Sequence, residues 1–192
     1  MIPITADLVS RLVAKQFPQW AALPIRPVAK SGHDNRMFHL GDALMVRLPS
    51  DAAYAEHVAL ELTWLPYLQE RLPFSIASPV GAGKPGQGYP LPWSILQYLP
   101  GETLTHTNIA SETELAQTLA AWLQNLQAID AAEGPLAGQH NFYRGSHLSV
   151  YDKQTREALV NLAAVLPEKD LASYRRLWEE ALDSRYEGRP VW

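Results

Sequence analysis

A chain of 192 residues, 47% hydrophobic and 19% charged, is large enough to bury a sizeable core as one medium domain or two small lobes, which excludes a disordered polymer. Its net charge of −4, with no Lys/Arg cluster, gives no footprint for nucleic acid, and zero Cys excludes disulfides and thiolate chemistry, in keeping with a reducing cytoplasm. The start, Met1-Ile2-Pro3-Ile4, lacks the basic and apolar regions of a signal peptide, and no apolar stretch approaches a membrane span. The His residues at 33, 39, 57, 106, 140 and 147 are too scattered to pair on one metal, so no metal site is expected from them.

Thr5 or Asp7 caps a first helix to about Phe17, with Leu8, Leu12 and Val13 on one face. Pro18, Pro24 and Pro27 then break the chain into extended pieces. Residues 25–30 read as a strand, 31–35 as a tight polar turn, and 37–40 with 43–48 as a hairpin around Gly41-Asp42. Residues 52–65 are helical, and Pro66 is expected to kink or split that helix before 67–72. Short strands at 76–80 and 92–99 flank a Gly/Pro-rich stretch, 81–88, best read as a loose hairpin connection, because no Lys-Ser/Thr pair follows it as a Walker A loop requires.

Beyond Pro100-Gly101-Glu102 the pattern becomes helical. Ser111-Glu112-Thr113-Glu114 is a capping box, and Leu115, Leu119, Trp122, Leu123, Leu126 and Ile129 fall on one helical face. A loop over 133–149 precedes helices near 151–165 and 168–185. In the last of these Leu171, Tyr174, Leu177, Trp178, Ala181 and Leu182 form the stripe. Arg189-Pro190-Val191-Trp192 reads as the opening of another strand. The order implies an α+β architecture in two parts, 1–99 as a β-rich lobe with an inserted helix and 100–192 as a helical one, hinged near 97–102.

Several segments sharpen this. Gly32-His33-Asp34-Asn35-Arg36-Met37-Phe38-His39-Leu40-Gly41-Asp42, leading into Met45-Val46-Arg47-Leu48-Pro49, resembles the first hairpin of the aminoglycoside phosphotransferase family, whose fold is protein-kinase-like. Glu61-Leu62-Thr63-Trp64-Leu65-Pro66 is similar to its C-helix, and 88–94 with Tyr98-Leu99-Pro100-Gly101-Glu102 to its hinge region. Arg144-Gly145 and the terminal Gly188-Arg189-Pro190-Val191-Trp192 match as well. The resemblance implies a complete smaller lobe and an incomplete helical lobe that stops just before a His-Gly-Asp loop. This chain has no match for that loop's base, the following Asn or the metal-binding Asp, so no catalytic and no metal residue is assigned.

The resemblance further implies phosphoryl transfer from ATP, or GTP, with Mg2+, to a small hydroxylated acceptor such as an aminoglycoside, the chemistry of antibiotic resistance. Such transfer needs the triphosphate held in line and its charge neutralised. The turn Ser31, Gly32, His33, Asp34, Asn35 is then the cover over the phosphates, Arg47 the cation gripping them, and Glu61, in preference to Glu56, the carboxylate orienting Arg47. Backbone groups of Gln97, Tyr98 and Leu99 would bind the base, with Val46 and Ile95 as its apolar walls. Each has a plainer reading: a polar hairpin end, a solvent-facing Arg, an ordinary helix Glu, core packing. Trp64, Trp122 and Trp178 read as packing residues, and Asp152, Glu157, Glu179 and Glu180 as solvated helix faces.

Two other functions stay open. One is a stand-alone nucleotide- or partner-binding module that self-associates through an exposed apolar end. The other is a ligand-binding α+β domain with no kinase relationship. The leading expectation is a phosphotransferase whose isolated 192-residue chain is catalytically inactive.

Overall fold

A computed structural model describes residues 3–29, 32–105 and 108–192. The first helix, α1 (Ala6–Gln16), starts at Thr5, whose hydroxyl accepts from the Leu8 amide at 3.3 Å. Its stripe of Leu8, Val9, Leu12 and Val13 is almost wholly buried. The strand pattern of 25–49 becomes β1 (Ile25–Pro27), β2 (Asn35–Leu40) and β3 (Leu44–Pro49). They join β4 (Pro79–Gly83) and β5 (Trp93–Gln97) in an antiparallel sheet of order β1-β2-β3-β5-β4.

Side chains alternate across a sheet, so each strand here presents two different surfaces. Phe38, Leu40, Val46, Leu48, Trp93 and Ile95 face the α1 stripe and form the core with Tyr89. Asn35, Met37, Met45, Arg47, Ser94 and Leu96 occupy the alternate positions. Gly83 lies so close to Trp93 that an added Cβ would sit 2.1 Å from the indole, and that indole donates to the Lys84 carbonyl at 3.0 Å. The Tyr89 hydroxyl, pushed up from its ordinary pKa by burial, donates to the Pro49 carbonyl at 2.7 Å.

A 3-10 turn at 52–54 leads into α2 (Glu56–Gln69). Pro66 does not split this helix, which runs through it as one element. Proline removes a single backbone bond, and here only the final turn follows it. Trp64 and Tyr67 pack edge to face at 5.6 Å, and the Trp192 ring lies 5.0 Å from Trp64. No strand forms at 189–192.

The chain divides into two compact units, residues 1–129 with Trp192, and 130–191. The division falls downstream of the expected hinge, because α3 (Glu112–Ala128) groups with the first unit. Ser111 caps α3 as expected, accepting from the Glu114 amide at 3.2 Å. Its apolar face is largely open: Leu115, Leu119 and Leu123 are exposed, Trp122 and Leu126 are half-buried, and Ile129 alone of the six is buried. In the second unit α4 (Asp152–Leu162) and α5 (Glu168–Asp183) bury Leu171 but leave Tyr174 and Leu177 exposed. Helical periodicity marks an apolar face without saying whether anything covers it. The acids expected on solvated faces are partly paired here, Arg156 donating to Asp152 at 2.9 Å and to Glu179 at 2.8 Å.

Candidate functional site

Arg47 stands on the sheet surface opposite the α1 core, and its side chain is 24% exposed. Its Nη1 donates to Oε1 of Glu61, which α2 presents with a side-chain exposure of 21%. The sequence expectation joined these two residues, and the structure pairs them. Strand register adds a third. Met37 lies directly across from Arg47, which puts Asn35 diagonally across on the same surface, within reach of a long side chain. With its amide oxygen turned to the guanidinium, the orientation in which donors meet an acceptor, Asn35 accepts from Nη2 at 3.0 Å and from Nε at 3.3 Å.

A guanidinium carries five N–H donors in a planar fork. Glu61 takes one on Nη1, and Asn35 takes Nε–H and one on Nη2. Among the described residues one donor on each terminal nitrogen is left without a partner, and guanidinium donors of this kind suit a phosphate. The pocket beside them, about 410 Å³, is lined by Gly32, His33, Asp34, Asn35, Met37, Arg47 and Leu96.

Ser31 lies outside the described residues. From Gly32 to Asp34 the turn is held by its carbonyls: Arg36 Nη1 donates to the Gly32 carbonyl at 2.9 Å, and the Ser50 hydroxyl to those of His33 and Asp34 at 2.8 and 3.0 Å. The Ser50 amide also donates to the Asp34 carbonyl at 2.8 Å. The Tyr54 hydroxyl is raised in pKa, first by burial and then by the Asp34 carboxylate nearby. An added Cβ at Gly32 would meet nothing within 4 Å, so packing does not demand glycine there.

Two expected site residues are not brought to this surface. Val46 and Ile95 neighbour Arg47 and Ser94 in sequence, so strand alternation turns them into the α1 core, where both are fully buried. The apolar lining beside Arg47 comes instead from Met37 and Leu96, residues that a period-two reading from Arg47 and across the strands would have found. At the hinge, the Gln97 amide donates to the Ser78 carbonyl at 2.8 Å and the Tyr98 amide to that of Ala43 at 2.9 Å. Both donors are engaged, which leaves Leu99, among the described residues, as the one of these three hinge amides without a backbone partner. Tyr98 also packs edge-on against His39 at 5.0 Å.

Two buried polar atoms close to this clamp have no partner among the described residues, Glu61 Oε2 and Ser94 Oγ. Ser94 is paired across the ladder with Arg47. A larger cavity of about 650 Å³ lies between Ile4–Ala6 and the β1–β2 segment; it shares Gly32, His33 and Met37 with the first and takes in neither Arg47 nor Leu96. Among the described residues no three His, Asp or Glu side chains gather where a metal ion could be held. Among them too, no helix is long and apolar enough to cross a membrane.

This geometry can be set beside known proteins. Residues 25–192 match the phosphotransferase enzyme family. The chain belongs to that family. A comparison with curated protein sequences finds no match. Among solved structures, the GDP complex of aminoglycoside 2'-phosphotransferase-IIIa aligns at 18% identity and a TM-score of 0.71, over 95% of this chain and 62% of that one. The gentamicin complex of APH(2")-IIa aligns at 19% identity and a TM-score of 0.58, over 95% and 59%. The apoenzyme of macrolide 2'-phosphotransferase MphH from Brachybacterium faecium aligns at 20% and 0.57, over 95% and 61%. These likenesses establish the fold as the α+β, kinase-like fold of the phosphotransferase family. The chain spans about three-fifths of the length of those structures.

Proposed function

We propose that this chain is the nucleotide-binding part of an O-phosphotransferase that moves a phosphoryl group from ATP or GTP to a hydroxyl of a small molecule such as an aminoglycoside. The observation that carries the reading is the Asn35–Arg47–Glu61 clamp, which holds a permanently charged fork in a pocket while leaving two donors unused. Family membership supports it, and so do similar structures that hold GDP, or ATP with streptomycin.

In this reading Arg47 grips the α/β phosphates, Glu61 orients it, and Gly32, His33, Asp34 and Asn35 cover the phosphates. The base lies against Leu96 and Met37 and bonds at the hinge through Leu99 N–H, with the Gln97 and Tyr98 segment as its frame. Mg2+ accompanying a nucleoside triphosphate would neutralise phosphate charge, and the described residues offer it no cluster of three His, Asp or Glu side chains. Lacking a match for the family's base, the isolated chain binds nucleotide without transferring phosphate.

Calorimetric titration with Mg2+-ATP and Mg2+-GTP tests this. Binding of either is expected, and Arg47→Ala should weaken it by about 10- to 100-fold, the loss of one or two charge-assisted hydrogen bonds. No binding of either nucleotide, or phosphoryl transfer to kanamycin by the wild-type chain above the uncatalysed rate, would refute it.

A further inference from the structure

We infer that Asn35 is a positioning residue for Arg47, and that its amide oxygen is the reason this site is built for arginine rather than lysine; the inference rests on the nucleotide-binding reading above. Glu61 meets the guanidinium at a terminal nitrogen, while Asn35 meets it along the edge formed by Nε and Nη2. The two acceptors therefore approach from different sides of the group. A planar fork spans them; a single ammonium nitrogen offers all its donors from one point and has nothing in place of the edge.

Held by Glu61 alone, the guanidinium could swing about that one contact. The second contact fixes its plane, and so fixes where the two remaining donors lie. The chemistry of the second acceptor matters too. Two carboxylates would offset the Arg47 charge and repel a polyphosphate, whereas an amide oxygen orients the group and adds no negative charge. Asn35 also opens β2 directly after the Gly32–Asp34 turn, which links the pose of Arg47 to the cover over the same pocket.

The contact is tested without any ligand by proton exchange at the Arg47 Nε–H in nitrogen-15 spectra, assigned by its disappearance in Arg47→Lys. Slow exchange is expected in the wild-type chain, and exchange about tenfold faster in Asn35→Ala, as expected for loss of about 1.4 kcal/mol of protection. Rapid exchange in the wild type, or no change on substitution, would overturn the proposal. The role is tested by a double-mutant cycle on affinity for Mg2+-ATP and Mg2+-GTP. Asn35→Ala should weaken binding about five- to tenfold beside Arg47 and less than about twofold in the Arg47→Lys background, since coupled residues are non-additive. Asn35→Asp should restore the protected Nε–H and yet bind nucleotide more weakly than Asn35→Ala. Equal losses in both backgrounds would show that Asn35 only supports the turn, and would overturn the proposal. If the wild type shows the protected Nε–H but binds neither nucleotide, the nucleotide-binding function fails and takes the positioning role with it, while the contact itself stands.

Discussion

The sheet and the helices after it are equally rich in apolar pattern, but they use it differently. On the sheet, Phe38, Val46, Leu48, Trp93 and Ile95 each meet the α1 stripe and are buried to 4% exposure or less. Along α3 and α5, Leu119 and Leu177 keep the same periodicity yet remain 54% and 63% exposed. Periodicity thus reports which way a side chain points on its own element, and burial depends on a second element to meet it. The contrast also locates stability in the sheet, and the candidate site borrows that rigidity because Asn35 and Arg47 alternate with core residues on β2 and β3.

The contrast would break most visibly at Gly83. Gly83→Ala forces a methyl into the buried Trp93 indole and should cost about 3 kcal/mol in urea denaturation of the chain, the upper range for overpacking. Leu119→Ala, on an exposed helix face, should change stability by no more than about 0.5 kcal/mol. Comparable losses for the two would erase the distinction between the regions. Tyr89→Phe is expected to cost about 1–2 kcal/mol, since it strips the Pro49 carbonyl of a buried donor.

The helical unit has its own signature, in acid. Asp152 is held below the usual carboxylate range, first by its bond from Arg156 and then by the Trp178 indole, which donates to it at 2.7 Å. A carboxyl with a lowered folded pKa adds stability that is complete above its ordinary value, near pH 4, and is lost as pH falls through the lower folded one. Helical circular dichroism at fixed urea should therefore decline below about pH 4 in the wild type, and Asp152→Asn should flatten that decline. A decline unchanged by the substitution would remove Asp152 as its source. The smallest expected effect on folding is at Gly32, where Gly32→Ala has open space and should leave stability within about 0.5 kcal/mol. Its consequence belongs to binding: a methyl facing the pocket should weaken nucleotide affinity while the fold is unmoved.

Much of this was legible in the residues. Side-chain caps mark both helices, with Thr5 or Asp7 open for the first and Ser111 for α3, and turn chemistry and alternation mark the hairpin at 37–40 and 43–48, which the structure extends to Asn35–Pro49. The Arg47–Glu61 pair could be read from the resemblance to a known hairpin and helix. What sequence reading missed has a common cause, because it depended on register. Val46 and Ile95, expected as walls of the base site, lie on the core surface, as their alternation with Arg47 and Ser94 requires. The grip of Asn35 on Arg47 exists only once Met37 is aligned with Arg47. The strand expected at 76–80 is displaced to Pro79–Gly83, because its partner is the buried Trp93 segment and not its own most apolar residues.

In the proposed function the Arg47 pocket receives the phosphates, and not the larger cavity between the start of α1 and the β1–β2 segment. A crystal structure of the chain with a non-hydrolysable analogue of ATP or GTP tests this most directly. Phosphate oxygens are expected within hydrogen-bonding distance of the two remaining Arg47 donors, with Asn35 and Glu61 still in place. Phosphates lodged between the start of α1 and the β1–β2 segment, with Arg47 untouched, would contradict it.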